Sequence, residues 1–189
     1  MNKTYHIYNG YKHRDKFVDC PQINRTDKFQ DEVYETAKKL FMGNNFSSVL
    51  DIGCGSAYKL IKYFKDEAFV GLEVEPNLSF VRDKYPHCTF RQSDFNNPPK
   101  EKFDMVICSD VVEHLLYPDD LMEFINKIDF KLLVISTPDR EIIQKVQRAY
   151  GWPVKENGPP HNVMHIREWS STVFIKYTSD YFDVKTHFL

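Results

Sequence analysis

An acidic residue and two glycines follow the first strongly apolar segment of the chain, in the sequence VLDIGCG at residues 49–55. The apolar run predicts a buried strand, and the helical pattern after the glycines predicts a tight strand-to-helix turn. Glycines at positions 53 and 55 would let a ligand approach the backbone closely. Because Asp51 lies at the end of the strand as an anion, we expect the ligand at this turn to carry a positive group.

Two nucleotide-containing ligands suit a turn of this kind, and the surrounding residues distinguish them. A nicotinamide dinucleotide site has the pattern GxGxxG and an acidic residue about 20 positions further on. Gly53, Gly55 and Glu73 match it, but Tyr58 stands where the third glycine belongs, and Asp51 would repel a pyrophosphate. S-adenosylmethionine has an amine, a sulfonium and a ribose but no phosphate. It is therefore the predicted cofactor, and a nucleotide-dependent oxidoreductase is the less favoured alternative.

The predicted contacts with this cofactor come from four consecutive strand ends. Asp51 attracts the amine and Glu73 accepts both ribose hydroxyls. Asp94 accepts the adenine amine, with Phe95 beside the ring, and Gln30 meets the cofactor carboxylate. Each residue taken singly has an ordinary structural explanation, but the set at successive strand ends favours a binding site. The complete predicted cofactor set is Gln30, Asp51, Gly53, Gly55, Glu73, Asp94, Phe95 and Ser109.

Short apolar segments alternate with helical segments along most of the chain. Strands are predicted over residues 48–52, 68–74, 88–91, 103–108, 131–136 and 181–188. Helices are predicted to begin near Thr26, Tyr58, Glu75, Pro118, Thr137 and Arg167, with Thr137 as the N-cap of its helix. Strands that are apolar on both faces and separated by helices are typical of a parallel sheet covered on both sides. We therefore predict an α/β fold, a Rossmann-like, doubly wound, mostly parallel sheet, in one domain over residues 1–189. Residues 1–25 are predicted to be an irregular lid.

Four segments resemble the successive motifs of class I S-adenosylmethionine-dependent methyltransferases. They are VLDIGCGSA, VGLEVEPN, QSDF and FDMVICSDVVEHL, in that family's order and spacing, and the resemblance covers about residues 26–189. It implies a sheet that ends in a strand pair. Only YFDVKTHFL is left to supply that pair, so the C-terminal hairpin is expected to be incomplete. An unpaired sheet edge favours pairing with another chain, which makes a homo-oligomer an open alternative.

The residues after the fourth predicted strand bear on the methyl acceptor. Family members that methylate amines of bases or glutamine often carry Asn-Pro-Pro-aromatic there, whereas this chain has SDVVEH at residues 109–114. The segments DVVEHL, STPDRE and GPPHNVMHIREW resemble the small-molecule branch, especially small bacterial enzymes that act on sugars, lipids or quinone precursors. The resemblance implies that His114 lies near the reacting centre, where an imidazole could take the acceptor's proton.

Two further histidines, His161 and His165, follow in a predicted loop. Either could act as the base or hold the acceptor, so the predicted catalytic set is His114, His165 and His161. A divalent ion bound by the pair with Asp110 or Glu113 is the weaker alternative, and no metal site is predicted. The alternative without a catalytic role is that these histidines only pack against neighbouring residues or cap the following turn.

The net charge, the cysteine pattern and the lengths of the apolar runs disfavour several classes of protein. The net charge is −2, so general nucleic-acid binding is not expected. The four cysteines are scattered without a CxxC pair, which fits a reducing cytosol. The polar, aromatic start does not resemble a secretory signal, so none is expected, and no apolar run reaches the length of a membrane span.

The predicted function is that of a cytoplasmic S-adenosylmethionine-dependent methyltransferase. Its expected acceptor is a hydroxyl of a sugar, a nucleotide-linked sugar or a surface-glycan precursor. The alternatives are a methyltransferase-fold partner subunit without chemistry, and methylation of a quinone or lipid precursor. RNA methylation is a minor alternative.

Overall fold

The computed structural model describes residues 4–16 and 29–188. These residues form two compact units. The first, called the sheet unit below, contains residues 29–111 and 127–136. The second, called the helical unit, contains residues 4–16, 112–126 and 137–188. Of the predicted lid, residues 4–16 form no helix or strand, and residues 17–25 lie outside the described part of the chain.

The sheet unit is built on five parallel strands in the order β3-β2-β1-β4-β5. The strands are β1 (Ser48–Ile52), β2 (Ala68–Glu73), β3 (Phe90–Gln92), β4 (Phe103–Ser109) and β5 (Phe130–Ser136). The chain moves outward from β1 to β3 on one side and resumes at β4 on the other side. Ligands of such sheets bind beyond the carboxyl ends of the strands, where this order reverses. The predicted doubly wound parallel sheet is thereby confirmed.

Three helices belong to the sheet unit, namely α1 (Asp31–Gly43), α2 (Tyr58–Phe64) and α3 (Asn77–Lys84). In α1, Tyr34, Ala37 and Phe41 recur at helical spacing and are buried in the main apolar cluster. They pack there with residues of the central strands such as Val49 and Met105. This packing fixes the edge of the sheet at which Asp51 lies.

The helical unit contains a single 3-10 turn and three helices. The turn is Val112–His114, and the helices are α4 (Pro118–Asn126), α5 (Arg140–Ala149) and α6 (Ser171–Ser179). Trp169 is fully buried, stacks on Tyr177 with ring centroids 5.6 Å apart, and donates its indole N–H to the carbonyl of Tyr5. Residues 150–166 form neither helix nor strand, as predicted.

Two predictions about elements are wrong. No strand forms over residues 181–188; instead the backbone N–H groups of Tyr181 and Phe182 both donate to the carbonyl of Thr178 at the end of α6. Thr137 does not cap α5, because Asp139 accepts hydrogen bonds from the first N–H groups of that helix. The predicted start of the first helix, from Thr26 to Lys28, lies outside the described residues, and α1 begins at Asp31.

Among the described residues, no helix is both long and apolar enough to cross a membrane.

Candidate functional site

Asp51 is fully buried near the end of β1. Its Oδ2 accepts a hydrogen bond of 2.9 Å from the hydroxyl of Tyr34, and its Oδ1 has no partner among the described residues. Burial raises the pKa of Asp51 to about 7. The negative charge of Glu73 also raises this pKa, whereas the hydrogen bond from Tyr34 and the positive charge of Lys59 lower it. A cation near a buried carboxyl group of this kind lowers its pKa, because the cation stabilises the ionised form.

The glycine turn after β1 has the conformation that its sequence predicts. Gly53 and Gly55 have φ values of 73° and 56°, in the left-handed region that disfavours other residues. A Cβ at Gly53 would lie 2.5 Å from Cγ2 of Val111, so glycine is also required there by space. A Cβ at Gly55 would meet no atom within 4 Å, so the backbone at that position is open to an approaching ligand.

Glu73, at the end of β2, is held against this turn. Its Oε2 accepts from the N–H of Gly55 at 2.5 Å, and its Oε1 accepts from the N–H of Val74 at 2.9 Å. The pKa of Glu73 is raised, chiefly by burial, while the two backbone bonds oppose the rise. A carboxylate oxygen has more than one acceptor site. Glu73 therefore remains able to accept the two hydroxyls of a ribose while the backbone fixes its position.

Asp94 follows β3 as predicted, but its carboxylate is used within its own turn. The two oxygens accept from the N–H of Asn96 and from the side-chain amide of Asn97, at 2.9 and 2.5 Å. These bonds lower the pKa of Asp94. Phe95, beside it, is half-buried. The adenine contacts of Asp94 and Phe95 stay predictions, and the turn accounts for Asp94 as it stands.

A chain of polar side chains crosses the ends of β4 and β5. Ser109, which is buried, lies 2.9 Å from the hydroxyl of Ser136, and Ser136 donates to Oδ1 of Asp110 at 2.8 Å. Gln30 donates its amide to Oδ2 of Asp110 at 2.7 Å. Asp110 has a φ of 53°, which is strained for a non-glycine residue and is often found at functional sites. The structure thus brings Gln30 and Ser109 into one network.

Sequence reasoning missed Tyr34 and Ser136, and it did not include Asp110 in the cofactor set. Tyr34 could have been found because its position in α1 repeats the spacing of the buried residues while its hydroxyl needs a partner. Ser136 ends β5 as Ser109 ends β4, and the two are directly paired in the register. No sequence signal gives the left-handed backbone of Asp110.

The predicted catalytic histidines lie in the helical unit and differ in their surroundings. His165 is buried, and its Nδ1 lies 2.7 Å from Oε1 of Glu168. His114 is half-buried, with its ring centroid 5.0 Å from that of His165. His161 is exposed. The structure therefore brings His165 together with His114 and Glu113. Glu168 accompanies the histidines in the sequence of this loop but is not in the predicted catalytic set, although its spacing from His165 places the two within reach.

Two observations in the sheet unit fit S-adenosylmethionine. The buried Oδ1 of Asp51 has no partner among the described residues, which suits the ligand's amine. The backbone at Gly55 is open, and Glu73 is fixed beside it as an acceptor for ribose. When bound, this cofactor supplies a methyl group activated by the sulfonium. The chain's own residues would hold its amine and ribose and keep the glycine turn in place.

The structure has the same fold as several solved structures. It superposes on the small RNA methyltransferase HEN1 with a TM-score of 0.64 and 20% identity, covering 88% of this chain and 23% of that one. For the [4+2]-cyclase SpnF the values are 0.61 and 14%, with 90% and 61% covered. For the sugar N-methyltransferase KedS8 from Streptoalloteichus sp. ATCC 53650 they are 0.50 and 19%, with 67% and 57% covered. The chain thus spans between about a quarter and three fifths of these proteins.

A comparison of the sequence with curated proteins finds no match. A family model described as a methyltransferase domain matches residues 22–176, which is most of the chain. The match agrees with the parallel sheet, the glycine turn and the acidic residues at the ends of β1 and β2. The protein therefore belongs to the methyltransferase-domain family, and its cofactor is S-adenosylmethionine.

Proposed function

We propose that the protein transfers the methyl group of S-adenosylmethionine to a hydroxyl of a sugar-like small molecule in the cytoplasm. The favoured acceptors are a free sugar, a nucleotide-linked sugar or a surface-glycan precursor. The observation that carries the proposal is the chemistry after β4. Ser109 and Asp110 are followed there by Glu113 and His114, in place of an Asn-Pro-Pro-aromatic segment.

A hydroxyl acceptor must lose a proton when it is methylated, whereas a neutral amine can react before its proton leaves. His114 and His165 each supply an imidazole that could take this proton as a general base. In His165, the contact of Nδ1 with Glu168 orients the ring so that Nε2 is the basic nitrogen. The exposed His161 remains a candidate for contact with the acceptor.

The net charge also supports a small acceptor, because a value of −2 provides no basic field for an extended polyanion such as RNA. A sugar N-methyltransferase and an RNA methyltransferase both have this fold, so the fold does not choose between these acceptors and both classes are tested. None of the three cysteines in the described part of the chain forms a disulfide, in keeping with a reducing compartment.

The experiment incubates the purified full chain with S-adenosylmethionine and four acceptor sets. These are free monosaccharides, nucleotide-linked sugars, a catechol as a quinone-precursor analogue, and short RNA. Release of S-adenosylhomocysteine and the mass of the product are measured together. We expect a product heavier by one methylene only with a sugar set, linked through oxygen. Products formed only from RNA, or only at amines, would contradict the proposal.

The matched variants are His165→Gln and Glu73→Gln. His165→Gln should lower turnover while leaving cofactor affinity unchanged, and Glu73→Gln should weaken cofactor binding. If both variants bind the cofactor normally and no acceptor reacts, the protein acts instead as a partner subunit without chemistry.

A further inference from the structure

Three side chains that can bind a metal converge in the helical unit. Glu113, His114 and His165 each offer one ligand atom, and these atoms all lie within 4.8 Å of one another. Glu113 and His114 are neighbours in the 3-10 turn, while His165 comes from the loop that precedes α6. The N–H of Ile166 donates to the carbonyl of Glu113 at 2.7 Å, which ties the two segments together. The cluster is therefore set by the backbone and does not rest on side-chain positions alone.

In both imidazoles, Nδ1 lies within hydrogen-bond distance of an acceptor oxygen. Nδ1 of His114 lies 3.1 Å from the carbonyl oxygen of Met164, and Nδ1 of His165 lies 2.7 Å from Oε1 of Glu168. Because both partners are acceptors, each Nδ1 carries the proton and each Nε2 carries the lone pair. Metal-binding histidines usually donate their other ring N–H to a carboxylate or a carbonyl in this manner.

Asn162 gives independent evidence for this tautomer of His165. Its Oδ1 accepts from the N–H of Met164 at 3.1 Å, which fixes the orientation of the amide. Its Nδ2 then lies 2.9 Å from Nε2 of His165 as a donor, and Nε2 must be unprotonated to accept that bond. An ion would replace the amide of Asn162 at this nitrogen.

Charge and burial favour a cation in the cluster. Glu113 is fully buried and His165 is nearly so. The hydroxyl of Thr137 donates to Oε2 of Glu113 at 3.3 Å, and a cation would further stabilise the ionised form of this carboxylate. Two imidazoles and one carboxylate are a ligand set typical of zinc, cobalt, manganese or iron, whereas magnesium and calcium prefer oxygen ligands alone.

We propose that Glu113, His114 and His165 bind one divalent transition-metal ion, with Glu168 positioning His165. Three protein ligands leave coordination positions open for water or for an oxygen of another molecule. This proposal goes beyond the methyl transfer proposed above and does not depend on it. Without an ion the two histidines keep the role of base proposed above, and with an ion bound they are its ligands.

The test uses the full chain, stripped of metal with a chelator and titrated with Co²⁺ as the probe. The visible absorption of Co²⁺ reports its coordination, and calorimetry with Zn²⁺ gives the stoichiometry. We expect one ion per chain. Glu113→Gln and His165→Gln should each weaken binding by roughly 100-fold, and Glu168→Gln by about tenfold, since positioning partners contribute within that range.

His161→Gln is the matched control, because this exposed histidine lies four residues from His165 and outside the cluster. It should bind Co²⁺ as the wild type does; loss of binding would assign the ion to the His161–His165 pair and overturn the ligand set. Far-UV circular dichroism and melting curves check that each variant is folded.

A second measurement needs no variant. Co²⁺ bound to the wild type should shift two exchangeable imidazole N–H resonances in the proton NMR spectrum, one from each Nδ1. Absence of saturable Co²⁺ and Zn²⁺ binding by the folded wild type would overturn the proposal. So would a spectrum with no shifted imidazole N–H, because it would show that the ion binds elsewhere.

Discussion

The carboxyl group of Asp51 is buried without full compensation, and this has a measurable consequence for stability. Its pKa in the fold is about 7, against 3.8 as the reference, so the folded state holds the proton more tightly than the unfolded chain. Its stabilising contribution is therefore complete below about pH 4 and is lost as the pH rises to about 7. The loss is at most about 1.4 kcal/mol per pH unit over that range.

We expect the cofactor-free protein to melt at a lower temperature at pH 8 than at pH 5, and Asp51→Asn to reduce that difference. Groups that face Asp51 include Tyr34 on α1, Lys59 on α2 and Glu73 on β2, and the variant leaves all three in place. Thermal melts of both proteins at the two pH values provide the measurement. Equal pH dependence in the two proteins would mean that Asp51 does not titrate in this range.

Two glycines of the same turn should respond differently to alanine. Gly53→Ala adds a clash with Val111, a side chain that is stiff about its first torsion, to the conformational cost of a positive φ. Gly55→Ala carries only the conformational cost, about 1–2 kcal/mol. Overpacking adds about 1–3 kcal/mol. Urea unfolding should therefore show a larger loss of stability for Gly53→Ala.

Cofactor affinity separates the two glycines in a second way. The open backbone at Gly55 is where we expect the ligand to approach, so Gly55→Ala should weaken S-adenosylmethionine binding although it is the milder change for stability. Unchanged affinity in a folded Gly55→Ala variant would place the ligand elsewhere.

At the scale of the elements, one side chain caps the start of α5. Asp139 accepts from the N–H groups of Glu141 and Ile142 through Oδ1 and from the N–H of Ser171 through Oδ2. Asp139→Ala should cost about 1–2 kcal/mol, as loss of an N-cap usually does. Asp139→Asn is the control for the cap, because its Oδ1 can still cap α5 while its Nδ2 cannot accept from Ser171, so it should lose less stability than Asp139→Ala. Chemical unfolding of the two variants measures the difference; equal losses would show that the cap contributes little.

The choice between Thr137 and Asp139 illustrates what sequence reasoning could and could not give for an element. Both residue types favour N-caps, and Pro138 between them suits either the first turn or the chain just before it. In the structure, the N–H of Ser171, a residue distant in sequence, also donates to the carboxylate of Asp139, which favours Asp139 as the cap. Such non-local partners have no periodicity along the chain.

The prediction of a final strand over residues 181–188 was wrong for a related reason. Tyr181, Val184 and Phe188 look like strand residues, but a strand needs a partner. The structure instead continues the turn at the end of α6 through the carbonyl of Thr178. The five strands of the sheet were predictable because each is an apolar run between helices, and the handedness of crossovers then gives a doubly wound sheet. Their order in the sheet was not predicted.

For the candidate site, the same reasoning predicted that Asp51, Gly53 and Glu73 would lie close together, since the carboxyl ends of parallel strands meet at one edge. It did not locate the hydrogen-bond partners that hold them. The bond from Tyr34 to Asp51 joins a helix to a strand. The bond between Ser109 and Ser136 joins two strand ends across the register. Side-chain type at one position does not reveal either pairing.

At the scale of the whole molecule, the cofactor assignment predicts ligand-dependent stability. A ligand that binds only the folded state stabilises it by about 2.7 kcal/mol at 100 times its dissociation constant. For a chain of this size, each kcal/mol raises the melting temperature by about 2–4 °C. S-adenosylmethionine at saturating concentration should therefore raise the melting temperature by roughly 5–10 °C. NADP should give no such rise, because Asp51 opposes a pyrophosphate and favours an amine.

Two variants make this prediction specific to the sheet unit. Glu73→Gln retains the size of the side chain but removes the charge, so the stabilisation by S-adenosylmethionine should fall to a fraction of the wild-type value. Glu67→Gln is the control, since Glu67 pairs with Lys38 at 2.7 Å and is absent from the predicted cofactor set. It should keep the full shift even if its own melting temperature is slightly lower. If NADP stabilised the wild type and S-adenosylmethionine did not, the acids at the ends of β1 and β2 would bind a different ligand, and the assignment of Asp51 to an amine would be wrong.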